Sequence, residues 1–294
     1  MSGLLPLARR ALTSFLLFTI MPVDVVLAQP PIALRLRDYL DARFSQQTVL
    51  NRKKVSFSEV CDIDTDALAS RVFREYGAMY AAGDDVILPP KCIFNSEQDL
   101  AAFQKSLKTR AAVISGVTIE LQQAAMEALL DAVDEIEPRR FTPLDGAIAG
   151  RRSYSDSVRI WNSRFIPALN YWVSKRRITR ADADAALLMP VAAQVAKVTD
   201  WEAQGIYFNT SRTRSIFSSV APPGTSQHLS LLAFDVVQNN DRKIREALNR
   251  NGWYQTVVGD SPHFTYLGLP EIELAKRGLK SVVRGGHTFW VPKN

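Results

Sequence analysis

The sequence predicts an α+β protein in which a mainly helical N-terminal region is followed by a small mixed or antiparallel sheet. Up to about Gly205, apolar residues recur at the period of helices that bury one face. After Gly205 the pattern changes to short apolar runs broken by glycine and proline, which is typical of strands and turns. With 47% apolar and 22% charged residues, the 294-residue chain can form a real core, which argues against a disordered protein.

The first 28 residues have the layout of a secretory signal peptide. Two arginines at 9–10 precede an apolar run over 11–20, and Val-Leu-Ala at 26–28 offers a cleavage site. We expect cleavage after Ala28, a periplasmic or secreted mature protein, and no stable membrane span. An uncleaved anchor is the alternative, although the apolar run is short of the ~20 residues that span a bilayer. A twin-arginine signal is a further interpretation that the flanking residues fit poorly.

The charge of the mature chain bears on its partners. The formal charge is +6, and removal of two arginines and one aspartate with residues 1–28 leaves +5. Basic pairs such as Arg139-Arg140, Arg151-Arg152 and Arg176-Arg177 are scattered and lack interleaved aromatic residues, which argues against nucleic-acid binding. An anionic polymer such as a cell wall fits the charge, and solvated surface is the alternative interpretation of these pairs.

Cys61 and Cys92 are the only cysteines of the chain. In an oxidising compartment they can form a disulfide that closes a loop of roughly thirty residues and contributes about 3 kcal/mol. Two buried free thiols are the alternative.

The first region contains one strongly periodic segment. An apolar stripe from Leu121 to Ile136 predicts a helix that is capped at Thr118 and ends by Pro138. Weaker stripes predict helices over 67–80 and 158–172. Two further helix starts carry a hydroxyl residue three positions before an aspartate, namely Ser96 with Asp99 and Thr179 with Asp182.

The second region predicts two strands and one helix. Residues 232–237 and 263–267 are short apolar runs of strand type, and residues 241–251 form a short helix that Gly252 ends. Alternation along the strands places Asp235 on one face of the first strand and His263 on one face of the second. Polar groups from neighbouring strands can therefore converge.

The chain has three histidines, His228, His263 and His287. A catalytic zinc site takes three protein ligands and leaves one position open, and His228, Asp235 and His263 would supply such a set. Spacing alone is a weak argument, because a lone buried histidine is usually a hydrogen-bonded core residue.

Two motifs strengthen this interpretation. The segment SQHLSLLAFD, from Ser226 to Asp235, resembles the Ser-x-His-x-x-Gly-x-Ala-x-Asp signature of zinc D-alanyl-D-alanine carboxypeptidases of the VanY type. The segment DSPH, from Asp260 to His263, is similar to the second motif of that family. The resemblance covers about residues 205–268 and implies that His228, Asp235 and His263 bind Zn²⁺, with Asp260 in the place of the catalytic base. A turn residue is the alternative for Asp260.

Two positions depart from the family pattern. Leu231 occupies the position of the family's glycine, so we expect the backbone or the pocket wall to differ there. Asp260 replaces the glutamate that is more typical of the family, and its carboxylate reaches roughly one methylene less far, which weakens proton transfer unless the backbone moves closer.

The resemblance also implies a substrate-binding arginine shortly before the first motif. Arg212 is our choice and Arg214 is the alternative, because a guanidinium can hold a carboxylate with two hydrogen bonds; surface charge is the other interpretation of both. We expect Ser226 to bond a neighbour of the site or the substrate. Trp253 and Tyr254 are candidate pocket walls, with core packing as the alternative for Trp253. We interpret His287 as structural.

Together these observations predict a signal peptide (1–28), a mainly helical domain (29–204) for substrate positioning or wall docking, and a zinc peptidase catalytic domain (205–294). The resemblance implies an exported zinc metallopeptidase that acts on peptidoglycan stem peptides as a D-alanyl-D-alanine carboxypeptidase. The alternatives are an endopeptidase or dipeptidase for another wall peptide bond, and a wall-binding module that holds zinc but turns over slowly. A plain structural zinc domain would need a fourth ligand, and His287 is the residue to test.

Overall fold

The structure is a computed structural model that describes residues 35–46, 56–136 and 141–293. The expected signal peptide, the pair at 139–140 and the helix end at Pro138 lie outside the described residues. No helix in the described part of the chain combines the length and the apolar character needed to cross a bilayer.

The architecture is α+β, as the sequence predicts: it combines helices with small antiparallel sheets. The helices are α1 (Leu36–Gln46), α2 (Phe57–Val60), α3 (Ala67–Tyr76), α4 (Glu97–Lys105), α5 (Gln123–Asp134), α6 (Tyr154–Ser174), α7 (Arg180–Leu187), α8 (Val191–Ala203), α9 (Arg242–Arg250) and α10 (Glu271–Leu274). The strands are β1 (Thr109–Ile114), β2 (Val117–Gln122), β3 (Ala233–Asp235), β4 (Trp253–Tyr254), β5 (His263–Tyr266), β6 (Leu279–Arg284) and β7 (His287–Pro292).

Two of the predicted helix starts are confirmed. The Ser96 hydroxyl accepts a hydrogen bond from the amide of Asp99 at 3.1 Å and caps α4. The Thr179 hydroxyl accepts one from the amide of Asp182 at 3.0 Å and caps α7. Each hydroxyl satisfies a backbone N–H that has no partner within the helix.

The predicted helix start at Thr118 is wrong. Residues Val117–Gln122 form β2, which pairs with β1 in an antiparallel hairpin, and the helix begins only at Gln123. Ser115 and Gly116 both have positive φ, 47° and 82°, as the two central residues of a tight hairpin turn require. The turn and the β-branched residues of β2 outweigh the helical spacing at this point.

The sheet that carries the predicted site residues has the strand order β3-β5-β4 and is antiparallel throughout. Both strands predicted after Gly205 are confirmed, with slightly shorter bounds. Asp235 lies directly opposite His263 in the pairing of β3 with β5. Because directly opposed residues point to the same face of a sheet, the register brings these two side chains together.

The main apolar core connects both halves of the sequence. It contains Phe44 of α1, Leu129 of α5 and Phe264 of β5, all of them buried. A second cluster, with Trp161 and Phe165 of α6, joins α6 to α7 and α8. Described residues on both sides of position 205 belong to one compact unit, and the division into two domains there stays a prediction.

Cys61 and Cys92 form a disulfide, with Cα atoms 5.2 Å apart. The bond ties the segment after α2 to the segment before α4, and both sulfurs lie within the main core. The prediction of a disulfide, rather than two free thiols, is confirmed.

Candidate metal centre

Three backbone elements position the predicted metal ligands. His228 lies on a single 3₁₀ turn, Gln227–Ser230, while Asp235 ends β3 and His263 begins β5. Leu231, which follows the 3₁₀ turn, has φ of 55°, and this left-handed residue redirects the chain into β3. The position is therefore one that glycine favours, and Leu231 adopts it while its side chain packs in an apolar cluster with Phe94 and Leu100.

The three ligand atoms form a nearly equilateral triangle. Nε2 of His228 lies 3.1 Å from Nδ1 of His263 and 3.2 Å from Oδ1 of Asp235. The third side, between Nδ1 of His263 and Oδ1 of Asp235, is 3.0 Å. Ligand atoms at tetrahedral corners around zinc, with bonds of about 2.0–2.1 Å, are about 3.3 Å apart. The triangle therefore has the size of one face of a tetrahedral site, and all three residues are buried.

Hydrogen bonds on the far side of each imidazole show which nitrogen carries the proton. Nδ1 of His228 lies 2.8 Å from the carbonyl oxygen of Gly150, which can only accept, so this nitrogen is the donor and Nε2 presents a lone pair. Nε2 of His263 lies 2.6 Å from Oε1 of Gln227. The orientation of that amide is fixed because its nitrogen donates to the carbonyl of Tyr76 at 2.7 Å. Nε2 of His263 is therefore also a donor, and its Nδ1 presents a lone pair.

Two imidazole lone pairs and one carboxylate oxygen consequently face the same point. Groups that only accept repel one another in a buried site, and a cation at the centre of the triangle converts this repulsion into attraction. The donor set of two neutral imidazoles and one carboxylate suits zinc. The described residues thus fit a Zn²⁺ ion held by His228, Asp235 and His263.

The ionisation of the ligands agrees with this arrangement. Burial lowers the pKa of His228 to about 4, so the ring is neutral at neutral pH. Burial alone would raise the pKa of Asp235, but the positive charge of neighbouring Arg152 lowers it, and the pKa lies well below its usual range. Both residues are therefore in the protonation state that metal binding requires.

Each ligand is held by a further group. Arg152 donates from Nη2 to Oδ2 of Asp235 at 2.5 Å, which leaves Oδ1 in the triangle. Arg152 is itself held by the carbonyl of Ile148 at 2.9 Å. Oε1 of Gln227 also accepts from the hydroxyl of Thr265 at 2.5 Å. Such outer partners orient metal ligands and raise metal affinity.

Asp260 lies beside the triangle and lines the same cavity. Its amide donates to the carbonyl of Val257 at 3.1 Å, and its own carbonyl accepts from the amide of His263 at 3.3 Å, so a tight turn brings it next to β5. Burial raises the pKa of its carboxyl group to about 6; Asp235 adds to the increase, while His263 and Arg152 oppose it. A carboxyl group with a pKa near neutrality can both take up and release a proton.

The cavity above the triangle has a volume of about 620 Å³, which is large enough for a short peptide segment. Its lining includes Ser226, as the sequence predicts, together with Arg159 and Arg164 from α6 and two serines at 218–219. A polar and cationic wall therefore faces the candidate metal centre.

The structure does not bring Arg212, Arg214 or Trp253 to this cavity. Among the described residues that line it, none of the three is present. The guanidinium of Arg212 donates to the carbonyl of its neighbour Asn209 and lies 5.8 Å from the ring centre of Tyr171. The role of either arginine in substrate binding stays a prediction.

Trp253 is fully buried in the core. Its ring centre lies 5.3 Å from that of Tyr266 and 6.4 Å from that of Phe234. Tyr254 is likewise buried and donates its hydroxyl to the carbonyl of Leu269 at 2.7 Å. Both side chains pack inside the protein rather than along the described cavity wall.

His287 lies outside the triangle. Its Nδ1 is 3.1 Å from the amide group of Gln255, and its Nε2 is 3.0 Å from Oδ1 of Asn240. The ring thus has hydrogen-bonding partners on both sides, which agrees with its interpretation as a structural residue.

Sequence reasoning missed Gly150 and Arg152, which lie more than seventy positions before the ligands that they contact. Arg152 is an exception to the interpretation of the basic pairs as solvated surface, because it is largely buried against Asp235. Nothing in the local sequence distinguishes it from its exposed neighbour Arg151. Gln227 could have been found, because it lies inside the first motif.

Comparison with known proteins gives one result. No family model and no curated protein matches the chain. A solved structure of the vancomycin resistance D,D-pentapeptidase VanY from a VanB-type resistance cassette, in complex with Zn(II), is similar at 17% identity with a TM-score of 0.32. The match covers 59% of this chain and 85% of that one. A likeness of this size carries no argument for the fold or the function of this chain.

Proposed function

We propose that this chain is an exported zinc metallopeptidase that removes the terminal D-alanine of peptidoglycan stem peptides. One observation carries the proposal: two imidazole lone pairs and a carboxylate oxygen converge within 3.2 Å of one another at the base of an open cavity. The two sequence motifs that include these residues supply the substrate class. The resemblance of the motifs to D-alanyl-D-alanine carboxypeptidases supports the activity, and the geometry supports the metal.

His228, Asp235 and His263 would hold the zinc ion at the base of the cavity. A bound zinc lowers the pKa of a water molecule toward neutrality and polarises a peptide carbonyl. Arg152 binds Oδ2 of Asp235 and so leaves Oδ1 as the metal ligand. Gln227 accepts the Nε2 proton of His263 and so leaves the Nδ1 lone pair for the ion.

Asp260 moves the proton. Its carboxylate takes a proton from the attacking water as the new C–O bond forms, and then passes it to the nitrogen of the leaving D-alanine as the C–N bond breaks. A pKa of about 6 suits both steps. At neutral pH the carboxyl group is mostly ionised and can accept a proton, and once protonated it can readily donate that proton. The products are a shortened peptide with a carboxylate and free D-alanine.

Substrate binding falls to groups on the cavity wall. We assign Ser226, Arg159 and Arg164 to this role, because they line the cavity above the triangle. A guanidinium can hold the terminal carboxylate of a peptide with two hydrogen bonds and stays charged at any working pH. Arg212 and Arg214 remain the second choice, and loss of Arg212 should then reduce kcat/KM far more than loss of Arg214.

The test is mass spectrometry of a stem pentapeptide that ends in D-Ala-D-Ala. The zinc-loaded mature protein should shorten it by one alanine, and the Asp260→Ala variant should leave it intact while it still binds one zinc. An intact peptide after incubation with wild-type protein shown to hold zinc would contradict the carboxypeptidase assignment. Cleavage of cross-linked wall fragments by the same sample would then identify an endopeptidase.

A further inference from the structure

A second depression lies next to the active-site cavity. It has a volume of about 330 Å³ and is bounded by α3, the turn at 257–258 and one face of the β6–β7 hairpin. Phe217, Ser218 and Val257 line both depressions. The two depressions therefore adjoin each other along these residues.

The second depression, which we call the basic groove, is lined by three cations. Lys280 and Arg284 lie on one face of β6 with Val282 between them, because alternate residues of a strand share a face. Arg74 of α3 also lines the groove. Gly259 is the residue before Asp260. Nη1 of Arg284 lies 3.7 Å from the position that a Cβ atom on Gly259 would occupy.

These three charges are not compensated within the described part of the chain. None of Arg74, Lys280 and Arg284 forms an ion pair with a described carboxylate, whereas nearby Arg71, Arg152 and Arg159 do. Glu75 is the acidic residue on the groove wall, and its carboxylate is held by Arg71 at 3.0 Å. Three cations beside an apolar floor, with Val291 opposite Lys280, attract a chain that carries carboxylates.

We propose that the basic groove binds carboxylate side chains in the part of the substrate that precedes the cleaved bond. The proposal rests on the proposed peptidase function, since that function places the substrate chain in the adjoining cavity. It adds a specificity: the enzyme prefers acidic peptides over neutral ones of the same length. Lys280 and Arg284 are the specificity-determining residues, because they share one strand face that leads toward Asp260.

The test uses two matched sets of short peptides that end in D-Ala-D-Ala. One set carries a single glutamate, moved in turn through the positions before the terminal dipeptide, and the other set carries glutamine at the same positions. Binding of fluorescent versions is measured by polarisation with the zinc-loaded full chain carrying Asp260→Ala, so that no turnover interferes. Hydrolysis of the same peptides is measured separately with protein that retains Asp260.

At one position of the scan, the glutamate peptide should bind about five- to tenfold more tightly than its glutamine partner. This is the size that one or two partly exposed ion pairs provide, and the preference should shrink at high salt. In the Lys280→Gln/Arg284→Gln variant the ratio should fall toward one. The Arg242→Gln/Lys243→Gln variant is the matched control, because it removes two exposed charges on α9 that line neither depression, and it should keep the full ratio.

The outcomes separate the two proposals. Equal binding of glutamate and glutamine peptides at every position overturns the basic groove, even if both are hydrolysed. A ratio that survives Lys280→Gln/Arg284→Gln also overturns it. An acidic preference that this variant abolishes, without hydrolysis of any peptide, supports the groove and contradicts the carboxypeptidase activity.

Discussion

Replacement of Gln227 by methionine should weaken zinc binding although Gln227 does not touch the ion. Its Oε1 accepts from Nε2 of His263 at 2.6 Å, and its amide nitrogen is anchored on the carbonyl of Tyr76 at 2.7 Å. Methionine has a similar length but offers no comparable acceptor. The proton of His263 can then move to Nδ1, which is the nitrogen that must bind the metal.

The size of the effect follows from the contacts that are lost. Loss of an outer partner of a metal ligand typically reduces metal affinity about 10- to 100-fold, which corresponds to about 1.4–2.8 kcal/mol. The hydroxyl of Thr265 loses one of its partners and the carbonyl of Tyr76 loses its donor, so the metal-free protein should lose about 1–3 kcal/mol of its free energy of unfolding. The zinc dissociation constant is measured by competition with a chromophoric chelator, and stability by urea unfolding of the metal-free chain.

Gln194 provides the matched control. It is a buried glutamine that makes two hydrogen bonds, to the indole of Trp161 at 2.8 Å and to the carbonyl of Ala186 at 3.2 Å, and it lies in the cluster around α6. Gln194→Met should lower stability by a similar amount and leave the zinc dissociation constant unchanged. A folded Gln227→Met protein with wild-type zinc affinity, or an equal loss in Gln194→Met, would refute the reasoning.

Three further results are expected. Arg152→Met should reduce zinc affinity about tenfold or more, because Oδ2 of Asp235 loses its donor at 2.5 Å. The same chelator competition measures this affinity. Wild-type affinity in the variant would show that Arg152 does not support metal binding. In metal-free protein, stability should rise with pH more steeply in Asp260→Asn than in wild type between about pH 4 and 6. Folding lowers the pKa of His228 from 6.5 to about 4, so the unfolded state binds more protons and stability rises with pH. Folding raises the pKa of Asp260 from 3.8 to about 6, which has the opposite effect and is absent from the variant. Equal pH dependence of the free energy of unfolding in the two proteins, measured by urea unfolding, would contradict this reasoning. Replacing both residues of the Cys61–Cys92 disulfide by serine should cost roughly 3–4 kcal/mol for a loop of 31 residues, and a loss below about 1 kcal/mol in urea unfolding would show that the loop is already ordered in the unfolded chain.

The sequence predicted the ligand triangle because the information is local. Asp235 and His263 lie on strands whose alternation is visible in the sequence, and the pairing of β3 with β5 places them opposite each other. His228 lies on the 3₁₀ turn that precedes β3, seven residues before Asp235. The first motif sets the spacing of His228 and Asp235, and His263 reaches them through the strand pairing.

The groups around the triangle could not be predicted in the same way. Gly150 and Arg152 meet the ligands only through the packing of distant segments, and a single sequence carries no signal for such contacts. The error at Thr118 has a different cause. The stripe from Leu121 satisfies helical spacing, but Ser115 and Gly116 form a hairpin turn, and this turn decides the conformation of the residues that follow.

The contacts from Gly150, Arg152 and Tyr76 tie the candidate metal centre to segments far from it in the sequence. All three candidate ligands follow position 205, yet Gly150, Arg152 and Tyr76, which contact His228, Asp235 and Gln227, belong to segments well before it. By mass action, zinc at one hundred times its dissociation constant stabilises the native state by about 2.7 kcal/mol. If the site binds zinc through these contacts, the earlier segments should become more resistant to proteolysis when zinc is added. A fragment that begins at residue 205 would keep the three candidate ligands and Gln227 but lose the contacts from Gly150, Arg152 and Tyr76.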